Sequence, residues 1–98
     1  MRHFTIEQFA EACGGIFYGP EAQKTQEIKS VVVDSRLTKK GSLFVATVGR
    51  RVDGHDFIER AFDKGAVCAV SQRELKDPPG PYLLVKDTLQ ALKDGAEA

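Results

Sequence analysis

The chain has 98 residues, of which 42% are hydrophobic and 29% are charged, and its formal net charge is zero. This length makes one domain with one modest core, and the zero net charge argues against nucleic acid or an anionic membrane as a partner. No apolar run approaches the ~20 residues that cross a bilayer, so we predict no membrane insertion.

The first predicted element is a helix that begins after Thr5. Thr5 is a typical N-cap residue, and Gln8, three residues later, completes a capping box. Gly14 and the glycine after it end the helix. Residues 16–18 then form a short strand, and residues 20–27 form an exposed polar connection.

Four further apolar segments predict the core strands. The first, residues 28–33, ends in three consecutive valines, which is typical of a strand covered on both faces of a parallel or mixed sheet. The others are residues 43–46, 67–70 and 82–85. Residues 72–81 form a polar, proline-containing loop.

Two more helices alternate with these strands. Asp53 is the predicted N-cap of the second helix, Asp56 complements the helix dipole in its first turn, and Gly65 ends it. Asp87 caps a third helix, with Gln90 at the capping-box position. The pattern therefore predicts a single small α/β domain, with a mixed or mostly parallel sheet of about four to five strands and about three helices.

No catalytic or metal-binding pattern is evident. His3 and His55 are far apart and lack partners at metal-ligand spacing, and Ser35 has no evident base. The phosphate-binding patterns G-x-x-x-x-G-K-[ST] and G-x-G-x-x-G are absent. Cys13 and Cys68 form no C-x-x-C pair and sit in apolar patterns, which favours free, buried thiols in a reducing cytosol. We predict no catalytic residue, no metal ligand and no cofactor site in the chain itself.

The loop after the valine run contains Asp34, Ser35 and Arg36, and it supports two compatible hypotheses. In the first, Asp34 bonds nearby backbone amides and Arg36 forms an ion pair, as in an ordinary turn. In the second, the Ser35 hydroxyl and neighbouring backbone groups hold a polar ligand beyond the strand end, where α/β domains bind small ligands.

The next loop starts at Gly49. Arg50 and Arg51 offer forked donors suited to phosphate or carboxylate, although a pair of loop arginines is also an ordinary solvated feature. The sequence Asp-Gly-His-Asp at residues 53–56 is accounted for by helix-start chemistry. We therefore interpret His55 as an orienting or surface residue rather than a proton carrier.

Several segments, taken together, form one pattern. They are Val33-Asp34-Ser35-Arg36, Gly41-x-Leu43-Phe44-Val45-Ala46, Gly49, Asp53-Gly54-His55-Asp56-Phe57-Ile58, Ala61, Gly65-Ala66 and Val85-x-Asp87-Thr88-Leu89-x-Ala91-Leu92. This pattern resembles the N-terminal domain of the Mur ligases, bacterial enzymes that assemble the peptide stem of peptidoglycan. Two departures from it, Lys40 for a frequent proline and Ser42 for a frequent aspartate, lie in a turn.

The resemblance implies a three-domain ligase, of which residues 1–98 are the N-terminal domain that binds the UDP end of UDP-N-acetylmuramoyl-peptide in the bacterial cytoplasm. ATP and Mg²⁺ would be held by the central ATPase domain and the C-terminal domain, both outside this chain. The DGHDF and DTLQAL segments are most similar to members that add D-alanyl-D-alanine to the tripeptide precursor. Members that add meso-diaminopimelate or lysine to the dipeptide precursor are the alternative.

Position within the pattern also implies residue roles. The UDP moiety would be contacted by Val33 and Ser35 from the first loop and by Arg50, Arg51 and Val52 from the second. Loop architecture is assigned to Asp34, Arg36, Gly41, Gly49, Asp53, Gly54 and His55. A stand-alone nucleotide-binding module and a purely structural interaction domain are the competing hypotheses.

Overall fold

The computed structural model describes residues 5–49 and 53–97. Its strands are β1 (Ile16–Tyr18), β2 (Ser30–Val32), β3 (Ser42–Val45), β4 (Cys68–Ser71) and β5 (Tyr82–Leu84), and its α-helices are α1 (Ile6–Cys13), α2 (Ile58–Asp63) and α3 (Thr88–Glu97). The strands form one sheet in the order β1-β5-β4-β3-β2. Strand β1 is antiparallel to β5, and all other neighbours are parallel. The predicted mixed, mostly parallel sheet with three helices is confirmed.

The central strands β3 and β4 are buried along their whole length. Alternate side chains of β3 enter two separate cores, because successive residues of a strand point to opposite faces. Leu43 and Val45 pack with residues of α1 and α3, whereas Phe44 packs with Ile58 and Ala61 of α2. Each fully buried side chain of the Val, Leu or Phe type contributes about 1.5–3 kcal/mol, so this double coverage is the main source of stability.

The expectation that the valine run forms a strand covered on both faces is wrong. Strand β2 lies at the edge of the sheet, and Val31 and Val33 are 38% and 48% exposed. A β-branched run favours a strand in either setting, because its preference is for a pleated, half-buried surface. The run therefore predicted a strand correctly and its place in the sheet wrongly.

The first helix begins as predicted. Thr5 Oγ1 accepts a hydrogen bond from Gln8 N at 3.2 Å, and Gln8 Oε1 accepts one from Thr5 N at 2.9 Å. Gly14 follows the helix with φ of +68°. Ile6 and Phe9 on one side of the helix are buried. The capping box and the helix end are therefore both confirmed.

At the other two helix starts the predicted caps, Asp53 and Asp87, are confirmed, but one further detail of each differs from the prediction. Asp53 accepts from the backbone N–H of His55, as an N-cap does, but the turn that it caps, Gly54–Phe57, is a 3-10 helix, and α2 begins only after this turn. At α3, Asp87 Oδ1 accepts from the backbone N–H of Leu89 and of Gln90. The Gln90 side chain donates to Asp94 Oδ1 at 2.9 Å instead of completing a capping box.

The turn that contains the two departures, Lys40 and Ser42, is stabilised by the Ser42 side chain. Ser42 Oγ accepts from Lys39 N at 2.9 Å and lies 2.8 Å from Ser30 Oγ on β2. Gly41 has φ of +91°, and its N–H donates to the carbonyl of Gly65. A serine therefore satisfies the backbone of this turn at the amino edge of the sheet.

The two cysteines are free thiols, as expected, but only Cys68 is fully buried, and Cys13 is partly exposed. Burial raises the pKa of Cys68 to about 12 and also raises the pKa of Cys13. Within residues 5–49 and 53–97, no helix has the length and apolar character needed to cross a membrane.

Candidate functional site

The loops that follow β2 and β3 meet at the carboxyl edge of the sheet and line an open cavity of about 610 Å³. They lie side by side because these two strands are parallel neighbours, so both end at the same edge. The volume falls within the range of about 300–1,000 Å³ that is typical of small-molecule sites. The lining residues are Val33, Asp34, Ser35, Arg36, Phe44, Thr47, Gly49, Gly54, Phe57 and Arg60.

In the first loop, Asp34 and Arg36 are joined by hydrogen bonds and an ion pair. Asp34 Oδ1 accepts from the backbone N–H of Arg36 at 2.9 Å, and Arg36 Nη2 lies 2.8 Å from Asp34 Oδ2. Hydrogen bonds from the side chain and then the backbone of Arg36 lower the pKa of the Asp34 carboxyl to about 2. An ion pair this exposed adds little stability, so its main effect is on the shape of the turn.

Ser35 is buried within this turn but lines the cavity. Its backbone carbonyl accepts from Thr38 N at 3.2 Å, which closes a 3-10 turn. No hydrogen bond joins the Ser35 hydroxyl to any other residue that the structure describes. This hydroxyl is therefore available to a ligand in the cavity.

The second loop folds back closely on the end of β3. Gly54 N donates to Thr47 O at 2.7 Å, and a Cβ atom at position 54 would lie 2.7 Å from the same oxygen. Only a residue without a side chain fits this approach unstrained. A backbone bridge between Val48 and Asp53 holds the two flanks of the loop together.

A hydrogen-bond network fixes the outer side of the second loop. Asp53 Oδ1 accepts from His55 N at 2.9 Å and lies 2.6 Å from His55 Nδ1, while His55 Nε2 accepts from Gln72 N at 2.9 Å. The ring therefore carries its hydrogen on Nδ1. Gln72 Oε1 in turn accepts from the N–H and hydroxyl of Thr88.

The Asp53 carboxylate also pairs with the guanidinium of Arg73. Hydrogen bonds from the backbone and the ring of His55, with smaller effects from the charges of His55 and Arg73, hold the pKa of the Asp53 carboxyl below its usual value. Both ring nitrogens of His55 are engaged, and its side chain is only 3% exposed. This geometry suits an orienting residue.

The structure brings together part of the predicted site. Val33 and Ser35 line the cavity, and so do Asp34, Arg36, Gly49 and Gly54. Asp53 and His55 stand beside it in the network, whereas Gly41 lies at the opposite edge of the sheet. Three predicted contacts, Arg50, Arg51 and Val52, lie outside the described residues, as does His3.

Sequence reasoning missed Arg60, Phe57 and Thr47 as cavity residues. Phe57 was named only within the pattern that carries the resemblance, and Arg60 was assigned no role. Phe57 and Arg60 are three positions apart, a spacing that places two side chains on the same side of a helical segment. This spacing could have indicated that both face the same cavity, but only once the loop was known to fold over β3. The Arg60 guanidinium carbon lies 5.7 Å from the centroid of the Phe57 ring.

The residues that the structure describes do not form a site for Mg²⁺-ATP. Among the residues placed in the structure, no group of three or more His, Cys, Asp or Glu side chains is arranged to hold a metal ion. The sequence also lacks the G-x-x-x-x-G-K-[ST] pattern, whose backbone and lysine cradle nucleotide phosphates.

Two solved structures resemble this fold closely. The chain matches MurF from Acinetobacter baumannii with a TM-score of 0.82 and 30% identity, over 96% of this chain and 20% of that protein. It matches MurF ligase from Thermotoga maritima, solved in complex with ADP, with a TM-score of 0.63 and 32% identity, over 70% of this chain and 16% of that protein.

Sequence relatives agree with the structures. UDP-N-acetylmuramoyl-tripeptide–D-alanyl-D-alanine ligase of Bacillus subtilis is 35% identical over 96% of this chain and 21% of its own length. UDP-N-acetylmuramoyl-L-alanyl-D-glutamate–2,6-diaminopimelate ligase of Bacillus licheniformis is 43% identical over 71% of this chain and 14% of its own length. This chain thus spans about a fifth or less of these relatives. A family model described as Mur ligase family, catalytic domain, matches residues 27–98. The chain belongs to the Mur ligase family.

Proposed function

We propose that this chain is the substrate-anchoring domain of a peptidoglycan-synthesis amide ligase and that it holds the UDP moiety of UDP-N-acetylmuramoyl-peptide in the cavity between the two loops. The observation that carries the proposal is the convergence of Val33, the free Ser35 hydroxyl and Gly49 at the carboxyl edge of parallel strands. Small ligands bind at this edge in α/β domains. Contacts from Arg50, Arg51 and Val52 are part of the proposal.

The domain would act through binding rather than chemistry. Anchoring the nucleotide end of a long substrate supplies binding energy far from the reacting carboxylate, and that energy positions the reacting group elsewhere. We propose that a central ATPase domain and a C-terminal domain of the same cytoplasmic ligase bind ATP and Mg²⁺.

Within the family, we propose the ligase that joins D-Ala-D-Ala to UDP-N-acetylmuramoyl-tripeptide. The match to the B. subtilis ligase of that name over 96% of this chain supports it. The alternative is the ligase that adds meso-diaminopimelate or lysine, supported by 43% identity over a shorter region. The precursors of both ligases share the UDP handle, so binding to this domain does not separate the two. An assay of the full-length ligase with each amine does.

A stand-alone nucleotide-binding module is the candidate from a different class. The coding sequence beyond residue 98 discriminates between the two. A G-x-x-G-K-[ST] pattern within a few dozen codons supports the ligase, and a stop codon supports the module.

The site itself is tested by titrating the ¹⁵N-labelled chain with UDP-N-acetylmuramoyl-tripeptide and following amide chemical shifts. We expect the largest changes at residues 33–36, 47–49 and 54–57. Ser35→Ala is expected to weaken binding about three- to tenfold, because a hydrogen bond contributes about 0.5–1.5 kcal/mol net. Thr25→Ala, which removes a hydroxyl outside the cavity, is the matched control.

Two results would contradict the proposal. One is a set of shifts confined to another surface, such as residues 74–82. The other is equal affinity of the Ser35→Ala and Thr25→Ala variants for the precursor together with no shift in either loop.

A further inference from the structure

The cavity contains two arginines, and their surroundings differ. The fork of Arg36 already faces a carboxylate: its Nε lies 3.1 Å from Asp34 Oδ1 and its Nη2 lies 2.8 Å from Asp34 Oδ2. In an arginine bound in this bidentate way, the donors of the fork are occupied and the charge is neutralised by the carboxylate. Arg36 and Asp34 together therefore add almost no net charge to the cavity.

Arg60 is in the opposite situation. It belongs to α2, is exposed, and lines the same cavity as Ser35 and Gly54. In the part of the chain that the structure describes, no carboxylate lies within ion-pair distance of its guanidinium. Its charge is therefore available at the cavity wall.

The Phe57 ring gives this guanidinium a defined place. The guanidinium carbon lies 5.7 Å from the ring centroid, within the range of a cation–π contact. A planar cation resting on an aromatic face keeps its N–H donors around its edge, where a second partner can be bound. Both residues line the cavity, so the contact holds the cation at its wall.

Lys64, which follows α2 directly, is a second cation close to the first loop. Its Nζ donates to the backbone carbonyl of Arg36 at 3.4 Å, and it lies outside the set of residues that line the cavity. Its charge acts on the first loop from outside. Arg60 is thus the cavity-lining cation, among those described, whose charge is not neutralised.

We propose that Arg60, carried on the Phe57 ring, binds the diphosphate of the uridine nucleotide and gives the cavity its preference for a nucleoside diphosphate over a nucleoside. This inference rests on the proposed function, because it assumes that the nucleotide enters this cavity. A guanidinium matches phosphate oxygens with two parallel hydrogen bonds, and the diphosphate carries the negative charge of the nucleotide. The Ser35 hydroxyl is left to contact the rest of the nucleotide.

The test compares uridine, UMP and UDP as ligands of the wild-type chain and of Arg60→Gln, with affinities measured by NMR titration. We expect Arg60→Gln to lower UDP affinity about tenfold or more, because charge-assisted hydrogen bonds are lost, and to leave uridine affinity unchanged. Arg60→Lys keeps the charge but lacks the forked donors, so its UDP affinity should lie between those of the wild type and Arg60→Gln. Lys93→Gln removes the same charge from an exposed position on α3, outside the cavity, and should behave as wild type.

The outcomes separate this inference from the proposed function. If wild type prefers UDP to uridine and Arg60→Gln keeps that preference, the inference is overturned and the proposed function stands. If Lys93→Gln loses as much UDP affinity as Arg60→Gln, the effect is one of overall charge and the inference is again overturned. If wild type binds none of the three ligands in either loop, both proposals fall. Because Arg60 is exposed, the fold of each variant is readily checked by circular dichroism.

Discussion

His55 Nε2 accepts a hydrogen bond from the backbone N–H of Gln72 at 2.9 Å, and this bond joins the loop after β3 to the end of β4. The side chain of Gln72 extends the link to Thr88, where α3 begins. One wall of the cavity is therefore held by two elements that are distant in sequence. Asp53 completes the arrangement by fixing the other ring nitrogen of His55.

Replacing His55 by alanine should destabilise the domain. The substitution leaves the Gln72 N–H without its partner and removes a side chain that is 3% exposed, so we expect a loss of about 2–4 kcal/mol in the free energy of unfolding. Urea unfolding followed by circular dichroism measures it. Asp56→Asn, in the same turn but exposed, is the control, and an equal effect of both variants would show that the network contributes nothing of its own.

A comparison of alanine substitutions at Gly65 and Gly14 distinguishes the cost of backbone strain from the cost of a steric clash. Both have positive φ, +110° and +68°, but a Cβ at Gly65 would lie 2.8 Å from Lys40 Cα, whereas one at Gly14 meets nothing within 4 Å. Gly14→Ala should cost about 1–2 kcal/mol from conformation alone. Gly65→Ala should cost clearly more in the same chemical-unfolding assay. Equal losses would mean that the turn at Lys40 moves aside freely.

Two buried threonines should respond in opposite ways to replacement by valine. Thr38 Oγ1 is buried, with no hydrogen-bond partner among the residues described, so Thr38→Val should be neutral or stabilising by up to about 1 kcal/mol. Thr88 Oγ1 lies 3.1 Å from Gln72 Oε1, so Thr88→Val should destabilise by about 1 kcal/mol. Thermal unfolding of the two variants gives the signs. A destabilised Thr38→Val would indicate a partner for that hydroxyl in solution.

Asp34 should make stability depend on pH in a defined range. Its pKa in the folded chain is about 2, below the ordinary value of about 3.9, because Arg36 bonds the ionised form. Because the pair is exposed, the stabilisation is small; it is present above about pH 4 and is lost as the pH falls through about 2. Unfolding curves of wild type and Asp34→Asn should converge over that interval. A carboxyl resonance of Asp34 that titrates near 4 would contradict this expectation.

The sequence by itself determined the features that depend on neighbours a few residues apart. The capping box at Thr5 and Gln8 and the existence of five strands follow from side-chain periodicity and local hydrogen bonds. The position of Ser35 directly after a strand, and hence its place at a sheet edge, is of the same kind. These interactions are short-range, so the residue pattern contains most of them, although the 3-10 turn after Asp53 and the bond from Gln90 to Asp94 were not predicted.

Only the tertiary structure decided what depends on which elements become neighbours. The valine run of β2 contains no information about strand order, and the order places it at the edge. The bond between His55 and Gln72 spans 17 positions, and the place of Arg60 beside Ser35 depends on the second loop folding onto β3. Such contacts form only when the parallel strands pair, because pairing is what brings their carboxyl ends to one edge of the sheet.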